Sequence, residues 1–422
     1  MFGKSTLALL CLLCVPLAHA QEAPARRTGG KVPIRSTKNG ADKAISDKEA
    51  TDFAQRLIAA IRDRKFSEMD RLFDWNVLNQ KITNGIEMPA AMRTKVLQEI
   101  HAGMNGPSGL WDTLTKQLAE GGRLDLLHVR RRGSQTSVLI RLLPPGDAGV
   151  NYHKYPLKRR ADGAIQATDM EIYAAGQNLT QVFRRSCLQS TAATDRGFLA
   201  RLTGQESDYA RHMDEYLAVI DANKAKDFPK VLKLYDALPQ SLKKDRNILT
   251  LRIFAAQEVG ENEYIQAVND FQAWYPNDVA LMLLTIDRDL FQKKYDNCLK
   301  SLDAIDKRVG GDPYLDMMRG GVHLAAGNSA AARSDYDRAY KRDPSLTRAA
   351  FTRIGLALQD KDNPTILRLL EDLEEKSETQ MKDLRTVPAY AEFVKSPEFE
   401  QWEARHPARP DASAPSPAGT QP

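Results

Sequence analysis

Five apolar triads punctuate the second half of the chain, each with members at i, i+4 and i+7. They are Val231/Tyr235/Leu238, Ala267/Phe271/Trp274, Cys298/Leu302/Ile305, Ala332/Tyr336/Ala339 and Ile366/Leu370/Leu373. That spacing lays one stripe along one face of an α-helix. The first members lie 36, 31, 34 and 34 residues apart. A helix–turn–helix unit has that length, and a single unit cannot bury its stripe alone, so the pattern predicts stacked helical hairpins. Twelve residues upstream of each first member stand Val219, Ala255, Ile286, Gly320 and Ile354. All are small or apolar, as close packing of a first helix on a second requires.

The first half is patterned differently. Ser46 or Asp47 can cap a helix that carries Phe53, Leu57, Ile58 and Ile61 on one face. Residues 66–82 predict one or two short helices with Leu72, Phe73, Trp75 and Leu78. Pro89 opens another helix, and residues 110–118 a shorter one. After Gly121-Gly122 the period falls to two. Residues 124–131, 136–143, 150–158 and 164–173 read as strands separated by Gly- and Pro-containing turns, and Val138, Ile140 and Leu142 alternate cleanly. This predicts an antiparallel meander with one wet face. A helix near residues 178–188 closes the domain.

In the second half the residues themselves carry a resemblance. From Pro313 to Pro344, the residues Gly320, Gly327, Ala332, Tyr336, Ala339 and Pro344 stand in the order and spacing of a tetratricopeptide repeat. Residues 208–378 resemble an array of such repeats, with departures. Asp316 stands where the family's first helix normally opens on an aromatic. The unit ending at Tyr275-Pro276 is short, and the one running into Gly310-Gly311 is long. The resemblance implies a superhelical solenoid whose groove binds segments of other proteins. By the family's groove positions, Arg252, Asp287, Tyr314, Met317 and Arg348 would line it. Residues 46–190, helices followed by a curved antiparallel sheet, resemble the cone-shaped α+β domains of the nuclear-transport-factor-two-like superfamily by element order. The expected fold is an α+β N-terminal domain joined to an all-α solenoid.

The ends lie outside these patterns. Lys4, an apolar run over residues 7–17 and Ala18-His19-Ala20 predict a signal peptide over residues 1–20, hence a periplasmic or secreted protein. Residues 21–45 are expected to form a disordered basic linker and residues 407–422 a disordered tail. Between them lie an α+β domain over 46–204 and a repeat domain over 205–406, closed by an aromatic-rich cap near residues 384–402. No later stretch is apolar enough to span a membrane.

The formal net charge of +5 conceals a split: +6 over residues 46–204 and −6 over residues 205–406. An acidic repeat domain in an exported chain excludes nucleic acid as a natural partner. Opposite halves also permit self-association. Beyond the leader only Cys187 and Cys298 remain, too few for a disulfide scaffold or a zinc site, and they read as buried small hydrophobes. Chemistry is scarce. The seven histidines form no HExxH or HxxxH pair, and no GxSxG elbow or GxxxxGK[ST] loop occurs. No catalytic residue, metal or cofactor is expected. Trp75, Trp111, His128 and Tyr152 could line a pocket inside the cone. Arg130, Arg131, Arg132, Lys158, Arg159 and Arg160 lead into neighbouring turns and could form a cationic patch. Together these features predict a non-enzymatic adaptor that holds another cell-envelope protein. The alternative is a small-ligand-binding or enzymatic cone that the repeats localise.

Overall fold

The computed structural model describes residues 43–405 apart from 107–108, 148, 195–210, 277, 378–380 and 382. The expected leader, most of the basic linker, the tail and the join near residues 195–206 lie outside these. The chain forms two compact units, residues 1–288 and 289–422. The first unit opens with α1 (Asp47–Arg62), α2 (Phe66–Arg71), α3 (Trp75–Thr83), α4 (Ala90–Asn105) and α5 (Leu110–Ala119). An antiparallel sheet follows: β1 (Arg123–Arg132), β2 (Gln135–Leu143), β3 (Asn151–Arg159), β4 (Ile165–Ala167), β5 (Glu171–Ile172) and β6 (Gln177–Asn178). A helix, α6 (Leu179–Thr194), comes next. An N-terminal helix-and-sheet region followed by many helices is thus the architecture.

Ser46 is the cap of α1, and it forms a reciprocal capping box with Glu49. The strand order is β1-β2-β3-β5-β6, with β4 also on β3. The expected fourth strand is therefore two short ones. The break falls at Asp169, a buried carboxylate that accepts from Met170 N, Thr180 N and Thr180 Oγ1. Satisfying the start of α6 takes the backbone out of the ladder. Val138, Ile140, Leu142, Tyr155 and Leu157 form one buried face. The opposite face departs from the expected wet surface, because Leu139, Arg141 and Tyr152 are buried too. Arg141 is tied to Asp125 across β1 and β2 at 2.7 Å, and Tyr152 meets the Tyr173 ring at 5.9 Å. A buried guanidinium needs such a partner.

The first unit continues as α7 (Met213–Lys224), α8 (Phe228–Ala237), α9 (Gln240–Lys243), α10 (Arg246–Val259), α11 (Glu261–Trp274) and most of α12 (Val279–Phe291). Here α7 packs on α8, α8 on α10 and α10 on α11. Polar bonds tie these helices to the sheet region. Gln177 Nε2 donates to Asn247 Oδ1 at 2.8 Å, and Arg185 pairs with Asp245 at 3.1 Å. Arg246 pairs with the buried Asp278 and reaches Ala175 O. Gly176, at φ +60°, leaves the space that Arg246 fills.

The second unit holds α13 (Tyr295–Val309), α14 (Pro313–Ala325), α15 (Ser329–Arg342), α16 (Thr347–Asp360), α17 (Asn363–Lys376) and α18 (Pro397–Arg405), each packed on the next. Every triad member is buried except Trp274, which lies at the end of α11 with Lys244 Nζ 4.3 Å above its ring. The five residues twelve positions upstream are buried as well. A second recurrence accompanies the apolar one. Arg288 donates to Gln272 at 2.7 Å, Arg319 to Asp303 at 3.0 Å and Arg353 to Asp337 at 2.6 Å. Each donor follows its acceptor by sixteen residues. The bond runs from one hairpin's second helix to the next hairpin's first. Asp236 and Arg252 share the spacing, but Arg252 pairs with Asp270 and stacks over Tyr235. Glu371, the corresponding acceptor on α17, is paired with Arg405 of the C-terminal α18. Leu384, Tyr390, Phe393, Phe399 and Trp402 of this closing segment are buried.

A Cβ at Gly320 would come 2.9 Å from the Tyr336 ring. Gly320→Val is therefore expected to cost about 1–3 kcal/mol of stability through overpacking. Urea denaturation checks it, and an unchanged midpoint would mean that α14 and α15 do not approach this closely.

Candidate functional site

The inner face of the sheet carries a buried polar cluster. Asn151, His153 and Tyr155 alternate along β3 and are each at most 2% exposed. Asn151 Nδ2 lies 3.2 Å from His153 Nε2, and Asn151 Oδ1 accepts from Ala174 N at 2.8 Å. Tyr155 OH lies 3.5 Å from His153 Nδ1. Burial pulls the His153 pKa down to about 4 and pushes the Tyr155 phenol up. The imidazole is neutral at physiological pH, and its described hydrogen-bond partners are Asn151 and Tyr155. Around it Phe73 meets Trp111 at 5.4 Å and Tyr155 at 6.2 Å between ring centroids. The interior is filled with rings.

The residues proposed for a cone pocket do not converge. Trp111 and Tyr152 are fully buried, and Tyr152 alternates to the face of β3 opposite Tyr155. His128 is partly buried on β1, just after a bulge at Leu126. Of the four, Trp75 lines one of the two clefts described below.

The six basic residues do gather at one end of the sheet, since Thr136 pairs with both Arg131 and Leu157. Two of them serve the fold. Arg159 is buried and binds Glu49 at 2.8 Å and the carbonyls of Lys43 and Ala44. Its hydrogen bond, helped by those from Ser46, holds the Glu49 carboxyl down at about 2. Arg131 binds Asp47 at 2.7 Å and Ile45 O. Lys158 and Arg160 are exposed beside Asp74 and Asp162, Arg132 is exposed, and Arg130 is partly buried.

Four of the five residues assigned to the groove are buried: Arg252, Asp287, Tyr314 and Met317. Only Arg348 is partly exposed. Asp287 is desolvated, and burial pushes its carboxyl up to about 7. Position 351, thirty-four residues after Met317, is a different matter. Phe351 is 39% exposed on α16, and one turn later Gly355 has open space where a Cβ would stand. The repeat period itself could have identified it. Asp316 has an equally clear role. The carboxylate is buried and gathers Arg319, Arg338 and Arg342 at 2.8, 3.0 and 2.6 Å, so a salt cluster occupies this position.

Two clefts open on the first unit. One of about 700 Å³ lies between α3 and α4 and is lined by Asn79, Asn84, Glu87, Met88, Arg93 and Leu97 among others. The second, of about 300 Å³, lies where α2 meets α3 and includes Asp70, Arg71, Asp74, Trp75, Arg160 and Gln166. Behind it His101 Nε2 donates to Asp70 Oδ1 at 2.6 Å, and the His101 ring stands edge-on to Trp75. The described lining of this second cleft holds no Ser, Thr or Cys. Among the described residues no group of three His, Cys, Asp or Glu could hold a metal ion. No described helix is long and apolar enough to cross a membrane. Cys187 and Cys298 are both buried, and burial pushes the Cys187 pKa up to about 11. Comparison with family models, curated proteins and solved structures finds no match.

Two titrations follow with opposite signs. His153 has a folded pKa below its ordinary 6.5. Stability is complete above pH 6.5 and falls as pH drops towards 4, by up to about 3 kcal/mol. His153→Gln should flatten that slope in urea melts taken across this range; an unaltered slope would mean that His153 protonates without penalty. Asp287 has a folded pKa above its ordinary 3.8. Its burial favours the protonated acid, so stability falls as pH rises from about 4 to 7, by up to about 4 kcal/mol. Asp287→Asn should therefore stabilise the protein at pH 8 and confer nothing at pH 4. Equal melting points for mutant and wild type at pH 8 would contradict this.

Proposed function

We propose that this protein is an exported, non-enzymatic adaptor that holds another cell-envelope protein on its tetratricopeptide-like helical hairpins. The observation that supports the reading most is on α16. Phe351 stands exposed between partly buried Arg348 and the bare backbone at Gly355. An exposed aromatic one turn from a glycine is an anchor of the kind that helical grooves offer to a partner's side chain. The paired apolar and polar recurrences supply a rigid base for it. The signal-peptide pattern supports the envelope as the place. The cone-pocket alternative draws less support, because Trp111 and Tyr152 are packed into the interior.

The test uses the whole mature chain, because residues up to 288 belong to the same compact unit as the sheet. Tagged protein is used to capture partners from an envelope extract, beside Phe351→Asp. The aspartate variant should fold normally and lose its partner by roughly tenfold or more, as truncation of a central aromatic anchor does. Equal capture by both proteins would sink the groove reading. Self-association that weakens with salt, without a second protein, would replace it with a homotypic one.

A further inference from the structure

The cleft where α2 meets α3 has a chemistry of its own. Its charges cancel, since Asp70 and Asp74 face Arg71 and Arg160. Several of its polar groups are already fixed. His101 holds one oxygen of Asp70. Asp74 accepts from Val77 N at the start of α3 and stands 3.9 Å from Lys158. Gln166 is 7% exposed, and its Nε2 donates to the carbonyls of Arg71 and Phe73 at 2.7 and 3.1 Å. That leaves the buried Gln166 with its oxygen unused among the described residues, on the wall of the cleft. The second oxygen of Asp70 and the carboxamide of the exposed Asn76 are also available, and the guanidinium of the exposed Arg71 is a donor. Trp75 adds an apolar surface, half-buried.

We infer that this cleft binds a neutral polyhydroxylated small molecule, of the size of one or two sugar units. A balanced rim gives a net ion no electrostatic advantage over a neutral guest. Preset acceptors and donors on rigid elements suit a ligand whose hydroxyls both donate and accept. An aromatic wall suits the C–H face of a sugar ring. The volume of about 300 Å³ stands at the small end of the roughly 300–1,000 Å³ expected for ligand sites. The positioning is firm: Gln166 fixes the chain at Arg71 and Phe73, and Phe73 bridges Ala167 at the edge of the sheet. This inference is separate from the partner reading, which concerns α16.

The experiment is saturation-transfer NMR on the full mature chain with glucose and N-acetylglucosamine at millimolar concentration. Inorganic phosphate and putrescine serve as charged probes, and Trp fluorescence as a second readout. The expected result is weak, saturable binding of at least one sugar. Asn76→Ala and Arg71→Met, both surface changes, should each weaken it roughly three- to tenfold, the fold-change of one lost hydrogen bond. Arg93→Met, in the larger cleft, should leave it unchanged. The inference is overturned if neither sugar binds, if phosphate or putrescine binds more tightly than both, or if Asn76→Ala and Arg71→Met bind as wild type does.

Discussion

A helix with one narrow apolar stripe has nowhere to put it except against a neighbour. In this protein three of the five stripes carry an aromatic residue at the middle position, and its ring needs a small residue opposite. Gly320 against Tyr336 is the clearest case. Burial alone would let such helices slide along one another, since the hydrophobic effect is non-directional. The recurring arginine bonds supply direction. Each joins the second helix of one hairpin to the first helix of the next, and it favours the axial setting that brings donor and acceptor together. The last such acceptor, Glu371, takes its arginine from the closing helix, so the final hairpin is finished by the same device that joins the others.

Much of this was legible in the chain. The triads, the upstream small residues and the helix starts at Ser46 and Pro89 follow from period and capping chemistry, which are local. The alternation of Val138, Ile140 and Leu142 gave the sheet. Three features were less accessible because they depend on distant partners. The fourth strand splits because Asp169 is needed by Thr180, eleven residues on. The far face of the sheet is buried at Arg141, which pattern alone assigns to water; only the pairing with Asp125 makes that burial tolerable. Arg131 and Arg159 read as surface charge, yet they fasten the start of α1. The sixteen-residue interval between acidic or amide side chains and arginine was present in the sequence, and it is a polar signal in a region otherwise read by its apolar residues.

The candidate sites were less legible than the fold. A groove position borrowed from a repeat family says which way a helix faces, but not whether the neighbouring hairpin covers it. Met317 and Phe351 occupy the same place in the period, and one is buried while the other is exposed. The small cleft draws on residues from Asp70 to Gln166, and no local pattern brings those together. It exists because a turn of irregular chain between α2 and α3 lies along the edge of the sheet.

The bonds among Gln177, Asn247, Arg246 and Asp278 have an evolutionary corollary. Repeat arrays usually change length by gaining or losing whole hairpins. In this chain, deleting a hairpin that is bonded to the sheet region would strand a buried charge. A change in length is better tolerated towards the C-terminal end of the chain, where a closing helix can be carried along with the hairpins that precede it.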